Sequence, residues 1–248
     1  MKRIVISQPM FFPWVGLFEQ VRLADVFVHY DDALFPQGRH FISRVEIKTK
    51  DGSKWLTAPV NRGHGAPIHT ITFDESQDWR DHHLRALHHS YAQAPFFSEM
   101  ISLAEEAYSQ PFHNLADFNC FATERIAEYY ELRPRFLRSA GLGIASRATE
   151  KLVELVNLLE GDVYVTGHGA RNYMDHELFE RNGVSVQYMH YQRTPYPQLH
   201  GAFDPHVTIL DLIANMGKKG IELIHSGTVG WKEFLAVESQ VAAGVKPR

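Results

Sequence analysis

The sequence is poor in the features that mark several common classes of protein. It contains one cysteine among 248 residues, Cys120, so neither an internal disulfide nor a cluster of cysteine metal ligands can form. It has no apolar run close to the roughly 18 residues of a membrane span, and its first residues lack the long apolar core of a secretion signal. We therefore expect a cytoplasmic protein without membrane insertion.

Basic residues are not in excess. The formal net charge is -4 and the sequence pI is near 6.4, whereas a generic nucleic-acid-binding protein carries a positive balance. This total argues against such a protein, although it leaves room for a local basic groove. The sequence also lacks a recognisable ATP-binding loop or carrier-attachment site, so any group that the protein transfers would have to arrive already activated.

The chain shows no repeat, no low-complexity segment and no linker, and 44% hydrophobic residues are ample for one core. Strands alternate with helices at both ends, which predicts right-handed crossovers and a mostly parallel sheet. Asp51-Gly52 predicts a β-hairpin, and residues 68–73 alternate as a further strand. We expect an α/β fold, one Rossmann-like three-layer domain over residues 1–248 with a helical insertion at about 78–132.

Fifteen histidines raise the question of a metal site. Four of them, His82, His83, His88 and His89, lie on one predicted helix of the insertion. At about 1.5 Å rise per residue, the first and last are roughly 10 Å apart along the axis, too far for one zinc ion. We predict a solvated helix face without metal, in an insertion that forms a wall or lid over a ligand pocket.

The first 32 residues read as a strand, a proline-framed loop, a helix and a second strand. Ligands of α/β sheets bind at the carboxyl ends of strands and at helix N-termini. Gln8, Phe12 and Trp14 lie in or just after the loop and are candidate substrate-binding residues. The alternative is a rigid hydrophobic loop that covers one edge of the sheet.

Two adjacent acids, Asp31 and Asp32, end the second predicted strand. Within a regular strand they would point to opposite faces, so they can act together only if the strand ends there. Asp31 is then a candidate general base, and Asp32 can hold a sugar hydroxyl. The structural alternative is an Asx turn that closes the strand.

A glycine-rich turn follows the predicted strand at 163–165. Gly167 would let a ligand approach the backbone closely, and His168 is a candidate acid or base near neutral pH. Tyr173 follows and is a candidate binding residue. A plain strand-to-helix turn explains the same pattern.

A second polar and aromatic segment lies near the C-terminus. Tyr196 and Gln198 sit in a proline-framed loop, and Asp211 lies on the apolar helix that follows. Aromatic rings beside amide side chains commonly hold sugars, so we regard all three as candidate substrate-binding residues.

In order along the chain, these fragments resemble the WbqC-like family, found in bacterial O-antigen and other surface-polysaccharide gene clusters. The similarity covers about residues 4–220. The matching stretches are Gln8-Pro9-Met10-Phe11-Phe12-Pro13-Trp14 with Gly16 and Phe18; Ala24-Asp25 with Phe27-Val28; Asp31 with Phe35; Arg44 with Ile47-Lys48; Trp55-Leu56-Thr57-Ala58-Pro59-Val60; Gly167 with Tyr173; Tyr196-Pro197-Gln198; and Ile209-Leu210-Asp211-Leu212 leading to Gly217.

The sequence departs from the family pattern at three places. Leu34 stands where glutamine is expected, Ser43 where asparagine is expected, and Arg193-Thr194 where histidine-proline is expected. If these positions touch substrate, the protein uses a different acceptor or donor.

The resemblance implies an acyltransferase or aminoacyltransferase that moves glycine or a similar group onto an amino sugar or sugar nucleotide. Such a reaction needs a base and a group that stabilises an oxyanion. We expect Asp31 or His168 as base and Arg44 as the clamp on a phosphate or oxyanion. The donor would be an aminoacyl-tRNA, a carrier-protein thioester or a similar activated acyl group.

Two other functions fit the same residues. The protein can be a non-catalytic sugar-nucleotide-binding or scaffold protein of a polysaccharide assembly complex. It can also be a nucleotidylyltransferase-like enzyme, since its first elements share that layout. However, the helix start reads Val15-Gly16-Leu17-Phe18, without the histidines that such chemistry places against the phosphates.

Overall fold

The computed structural model describes residues 1–38, 40–61 and 65–242. Ten strands and eight α-helices are present in these ranges. The strands are β1 Arg3–Ser7, β2 Val26–His29, β3 Arg44–Thr49, β4 Gly52–Thr57, β5 Val60–Asn61, β6 Thr72–Phe73, β7 Arg135–Arg138, β8 Val163–Thr166, β9 Ser185–Tyr191 and β10 Ser226–Gly230. The helices are α1 Val15–Leu23, α2 Trp79–Tyr91, α3 Phe97–Ser109, α4 Leu115–Tyr129, α5 Ala148–Leu158, α6 His176–Arg181, α7 Ile209–Met216 and α8 Trp231–Ala242.

Six strands form the central sheet in the order β10-β9-β8-β1-β2-β7. All pairs are parallel except β9 with β10. Alternate residues of the strands enter two separate cores: Val5 and Val165 face one, whereas Ile4 and Tyr164 face the other. Burial on both faces explains why these strands read as continuous apolar runs.

One helix layer covers each face of the sheet. Helices α1, α2, α3, α4 and α7 contribute to the first core, and α5, α6 and α8 contribute to the second. The predicted Rossmann-like α/β fold with a mostly parallel sheet is therefore confirmed. The hairpin is confirmed as well, since β3 and β4 pair antiparallel around Asp51 with Thr49 opposite Gly52.

The prediction of a strand at 68–73 is wrong for the first half of that segment. Residues Ile68–Thr70 form one turn of 3-10 helix, and only the two residues of β6 pair as a strand. The backbone amides of Ile68 and His69 donate to loop carbonyls at Ala33 and Asp31, so they are not available to a neighbouring strand. Of the buried residues at positions 68, 71 and 73, only the last two show the spacing of two positions that is typical of a strand with one buried face.

The histidine-rich helix α2 is solvent-facing at three of its four histidines. His83 is the exception: it is buried, and its Nδ1 lies 3.0 Å from the hydroxyl of Tyr108. Burial lowers the pKa of His83 to about 4, so the ring is neutral at physiological pH. Over the described ranges, no helix has the length and apolar character needed to cross a membrane.

The order of strands creates a crevice at one point of the sheet. From β1 the chain continues through α1 to β2, on one side, and from β8 it continues through α6 to β9, on the other. Helices α1 and α6 lie on opposite faces. The carboxyl ends of β1 and β8, which pair with each other, therefore form the topological switch point at which open α/β sheets bind ligands.

Candidate functional site

A cleft of about 750 Å³ opens at this switch point. Its volume lies in the range of sites for small molecules and cofactors. Residues from the ends of β1, β2, β8 and β9, from α1 and α5, and from the loops before β3, after β8, after β9 and before α7 line it. They are Ile6, Ser7, Gln8, Met10, Trp14, Leu17, Gln20, Tyr30, Phe41, Ala148, Leu152, Tyr164, Thr166, Gly167, His168, Gly169, Ala170, Tyr173, Tyr191, Arg193 and His206.

The cleft is rich in aromatic rings. The indole of Trp14 lies 5.0 Å from the ring of Tyr191 and is stacked 6.3 Å from that of His206, measured between centroids. Tyr173 and Phe41 are both exposed, and both line the cleft. Such ring faces can stack on a nucleobase or on the apolar face of a sugar.

The charge of the lining is one-sided. Arg193 is cationic, His168 and His206 are titratable, and no carboxylate occurs among the described residues that line the cleft. Arg193 also has a φ of 49°, in the left-handed region that a non-glycine residue adopts only at a cost. The lining therefore suits an anionic or neutral ligand.

His168 is held in one orientation. Its Nε2 lies 2.7 Å from the carbonyl oxygen of Met189, and its ring packs against those of Tyr191 and Phe234, with centroids 5.2 and 4.8 Å away. A carbonyl only accepts hydrogen bonds, so Nε2 carries the hydrogen and Nδ1 of the neutral ring keeps its lone pair. His168 is thus a candidate base in the cleft.

Gly167, directly after β8, is closely approached by side chains of α1 and β9. The Gln20 side-chain amide donates to the hydroxyl of Tyr191 at 2.6 Å. A Cβ on Gly167 would lie 2.8 Å from that hydroxyl and 3.2 Å from Nε2 of Gln20. The glycine is therefore required by close packing between β8, α1 and β9.

Replacing Gly167 by alanine is expected to lower the free energy of unfolding by about 1–3 kcal/mol, since the added methyl forces Tyr191 and Gln20 apart. Urea denaturation measures this loss. Gly169→Ala is the matched control, because a Cβ there meets no atom within 4 Å. Equal stability of the two variants would show that the Gln20–Tyr191 contact is not rigid.

The two acids that end β2 lie outside the cleft lining. Asp31 is fully buried and accepts hydrogen bonds from Nε of Arg138, the hydroxyl of Ser139 and the amide of Ala140, at 2.7, 3.1 and 3.0 Å. Burial opposes ionisation, but these hydrogen bonds and the Arg138 charge hold the pKa of Asp31 below its usual value. A carboxylate with occupied lone pairs and a lowered pKa is a poor base.

Asp32 is also engaged in structure. It pairs with Lys151 of α5, and its Oδ1 lies 2.6 Å from the hydroxyl of Ser139, so it shares the single hydrogen of that hydroxyl with Asp31. The strand ends at His29, so both acids can turn toward Ser139, as the sequence allowed. Their geometry favours fastening β2 to the segment after β7 rather than binding substrate.

Arg44 lies outside the cleft lining but supports a loop that borders it. Its Nε donates to the carbonyl of His40 at 3.0 Å and its terminal nitrogen to that of Gly38 at 3.3 Å. The guanidinium also covers the ring of Trp55, 4.8 Å from its centroid. Arg44 thus holds the loop that carries Phe41, and this geometry favours a positioning role over a phosphate clamp.

The C-terminal candidates form a buried network away from the cleft. Asp211 is fully buried and accepts hydrogen bonds from the hydroxyls of Tyr91 and Tyr196 at 3.0 and 2.9 Å. Gln198 donates to the Tyr196 hydroxyl and accepts from Nζ of Lys48, both at 3.0 Å. This network joins α7, α2 and β3 to the loop after β9.

The structure therefore brings five of the predicted site residues together. These are Gln8, Trp14, Gly167, His168 and Tyr173. The other seven, Phe12, Asp31, Asp32, Arg44, Tyr196, Gln198 and Asp211, do not line the cleft. Phe12 packs in the core against Tyr108 and Phe118. Helices α2, α3 and α4 also contribute no residue to the lining, so the predicted wall or lid is wrong for the described residues.

Asn119 of α4 supports the cleft from the core and was not predicted. Its side-chain amide donates to the carbonyls of Pro9 and Ile42 at 3.0 and 2.8 Å, which joins the loop after β1 to the loop before β3. Met10 and Phe41 of these two loops line the cleft. A polar residue between Phe118 and Cys120 on a mostly apolar helix was the one local indication of this role. The sequence could not identify its hydrogen-bond partners, because they are distant in sequence.

The sequence model of the WbqC-like protein family matches residues 8–223. The chain is also 33% identical over 220 residues to the uncharacterized protein Rv1507c of Mycobacterium tuberculosis, with 88% of this chain and 95% of that one covered. No solved structure matches the chain. The matched residues include all five predicted residues that line the cleft, and the chain belongs to the WbqC-like protein family.

Proposed function

We propose that the protein is an acyltransferase, specifically an aminoacyltransferase for a group such as glycyl, that acts on the amine of a nucleotide-linked amino sugar in surface-polysaccharide or related biosynthesis. The observation that carries this proposal is the position of His168. It lies at the switch-point cleft, and its Nε2 is fixed on the carbonyl of Met189.

The lining of the cleft supports a sugar nucleotide as ligand. Trp14, Tyr173 and Tyr191 supply ring faces for a base or sugar. Arg193 supplies a charged fork suited to a diphosphate, and no carboxylate of the described lining opposes it. Arg193 is also one of the departures from the expected family pattern, so it bears on which ligand this protein selects.

The chemistry requires an amine that attacks an activated acyl carbon. As the C–N bond forms, the amine nitrogen gives a proton to a base, and His168 can accept it at Nδ1. The amide of Gln8, also in the lining, is a candidate donor to the oxyanion. The acyl group arrives on an aminoacyl-tRNA or a carrier-protein thioester and leaves that carrier as the C–O or C–S bond breaks.

The test is a transfer assay with UDP-glucosamine as acceptor and glycyl-tRNA or a glycyl carrier-protein thioester as donor, read by mass spectrometry. His168→Gln is expected to lower turnover by about 10²–10⁴-fold, the usual contribution of a general base. His82→Gln, on the exposed face of α2, is the control and keeps full activity. Unchanged turnover in His168→Gln would overturn the assigned role.

A second candidate is a sugar-nucleotide-binding protein without catalysis. One observation favours it: Asp31, Asp32 and Asp211 all lie outside the cleft lining, which leaves the two histidines His168 and His206 as the groups of the lining suited to accept a proton. In that case the protein binds UDP-glucosamine by calorimetry, yields no transfer product with any donor, and keeps its affinity in His168→Gln. The nucleotidylyltransferase-like alternative gains no support, because the Trp14 ring lies directly against Gly16 at the start of α1.

A further inference from the structure

A long loop connects β9 to α7 and supplies two residues of the cleft lining. It spans residues 192–208, and its Arg193 and His206 both line the cleft. Loops of this length without secondary structure of their own are usually either functional or disordered. Two non-glycine residues of the loop, Arg193 and His200, have φ angles of 49° and 65°. Such conformations persist only where contacts with the rest of the protein hold them, so this loop requires anchors.

Lys48 of β3 provides an anchor from the core. Its side chain is buried, and its Nζ donates to Oε1 of Gln198 at 3.0 Å, to the carbonyl of Gly201 at 3.2 Å and to the carbonyl of Ala202. The three acceptors match the three hydrogens of the ammonium group, and all three belong to the loop. A buried ammonium group that lacks such acceptors loses its hydration without replacement. Loop conformations that place the acceptors elsewhere are therefore unfavourable.

Hydrogen bonds continue from this anchor to His206. Oε1 of Gln198, which accepts from Lys48, also accepts from the backbone amide of Asp204 at 2.8 Å. Nε2 of Gln198 donates to the Asp204 carbonyl at 3.0 Å, and Oδ1 of Asp204 accepts from the backbone amide of His206 at 2.9 Å. The ring of His206 lies over that of Trp14 with 22° between the two planes, so the anchor shapes one wall of the cleft.

A second, shorter segment joins the anchor to Arg193. Nε2 of Gln198 also donates to the hydroxyl of Tyr196 at 3.0 Å, and the Tyr196 side chain is buried. Pro195 and Pro197 flank this tyrosine, and proline fixes φ at about −65°. The backbone between Gln198 and Arg193 therefore has few conformations open to it once the anchor has formed.

We propose that Lys48 is a positioning residue for ligand binding: its ammonium group fixes the loop after β9 so that Arg193 and His206 line the cleft. The inference rests on the proposed function, in which Arg193 binds the diphosphate of a sugar nucleotide. Lys48 itself does not line the cleft, so it acts on the ligand only through the loop. Without its charge the loop adopts the binding conformation for a smaller fraction of the time, and the apparent affinity falls in proportion to that fraction.

The test measures the affinity for UDP-glucosamine by calorimetry with the full chain. Lys48→Met keeps an unbranched side chain but removes its charge and its hydrogen bonds. It is expected to weaken binding about 10-fold, as for a loop that is in the binding conformation about a tenth of the time. Lys50→Met, at the exposed turn of the same hairpin, is the control and keeps the wild-type affinity. Thermal unfolding shows whether each variant is folded at the temperature of the assay.

A double-mutant cycle separates positioning from a general structural defect. If Lys48 acts through the loop, Lys48→Met has a smaller effect once Arg193→Ala has removed part of what the loop contributes. The loss of affinity in the double variant is then smaller than the product of the two single losses. A general defect would lower the affinity by the same factor in both backgrounds.

Unchanged affinity in Lys48→Met, or losses that multiply in the double variant, overturns the positioning role and leaves the proposed function standing. If the wild type does not bind UDP-glucosamine, the proposed function fails and the role of Lys48 in ligand binding fails with it. Trypsin tests the anchor without a ligand: cleavage after Arg193 is expected to be faster in Lys48→Met than in Lys50→Met, and equal rates overturn the anchor. Should Lys48→Met fold poorly, Gln198→Met breaks the same contact from the loop, and wild-type affinity in that variant overturns the proposal.

Discussion

Asp211→Ala is expected to lower the free energy of unfolding by about 3–5 kcal/mol, the usual cost of removing one member of a buried polar network. The substitution leaves the hydroxyls of Tyr91 and Tyr196 without their acceptor in a buried site. It also removes an acceptor of the Asn215 side-chain amide, at 3.2 Å. Urea denaturation at neutral pH, followed by circular dichroism, gives the value.

The control for this prediction keeps the shape of the side chain. Burial raises the pKa of Asp211, although the hydroxyls of Tyr196 and Tyr91 oppose the rise. Asp211→Asn retains one oxygen acceptor, so we expect it to lose only about 1–2 kcal/mol. If the alanine variant loses less than about 1 kcal/mol, water replaces the carboxylate and the network does not hold α7 to the loop after β9.

Glu19→Gln is expected to stabilise the protein by about 1–3 kcal/mol at about pH 8 and to change little at about pH 4. Burial raises the pKa of Glu19 from 4.5 to about 7. The folded state therefore takes up the proton more readily than the unfolded chain. The stabilising contribution of this group is complete below pH 4.5 and is lost as the pH rises through 7.

The measurement is a series of urea denaturations of both proteins from about pH 4 to pH 8. The gap between the glutamine variant and the wild type is expected to open between the two pKa values and then stay constant. Glu154→Gln, the same substitution on the exposed side of α5, is the control for the chemical change itself. A gap for Glu19→Gln that does not vary with pH would mean that its carboxyl is better solvated than its burial indicates.

Residues whose role follows from a local pattern were predictable. The apolar runs of β1 and β8, the helical spacing of apolar residues in α1 and the turn at Asp51-Gly52 all depend on neighbours within a few positions. Gln8, Gly167, His168 and Tyr173 were predicted to lie near one another because they follow strands, and parallel strands end at one edge of the sheet; all four line the cleft. That rule needs only the order of the elements.

The same rule also selected Asp31, which stands after β2 just as Gln8 stands after β1. In the fold its carboxylate lies outside the cleft lining and accepts a hydrogen bond from Arg138, which lies 107 positions later at the end of the neighbouring strand β7. Tyr196 and Gln198 lie outside the cleft lining for a similar reason. Their aromatic and amide pattern suits a sugar, yet Asp211 and Lys48 meet them first in the folded core.

The sequence by itself therefore determined the α/β class, the hairpin, the resemblance to the WbqC-like family and the strand-end residues, because these depend on short-range periodicity and element order. Only the tertiary structure decided which polar side chains remain available to a ligand. Hydrogen-bond partners such as Gln20 with Tyr191, or Asn119 with Pro9, lie more than a hundred positions apart. The sequence likewise does not show that Oε2 of Glu19 lacks a hydrogen-bond partner among the described residues. This depends on packing, which removes water from the carboxylate without placing a donor beside it.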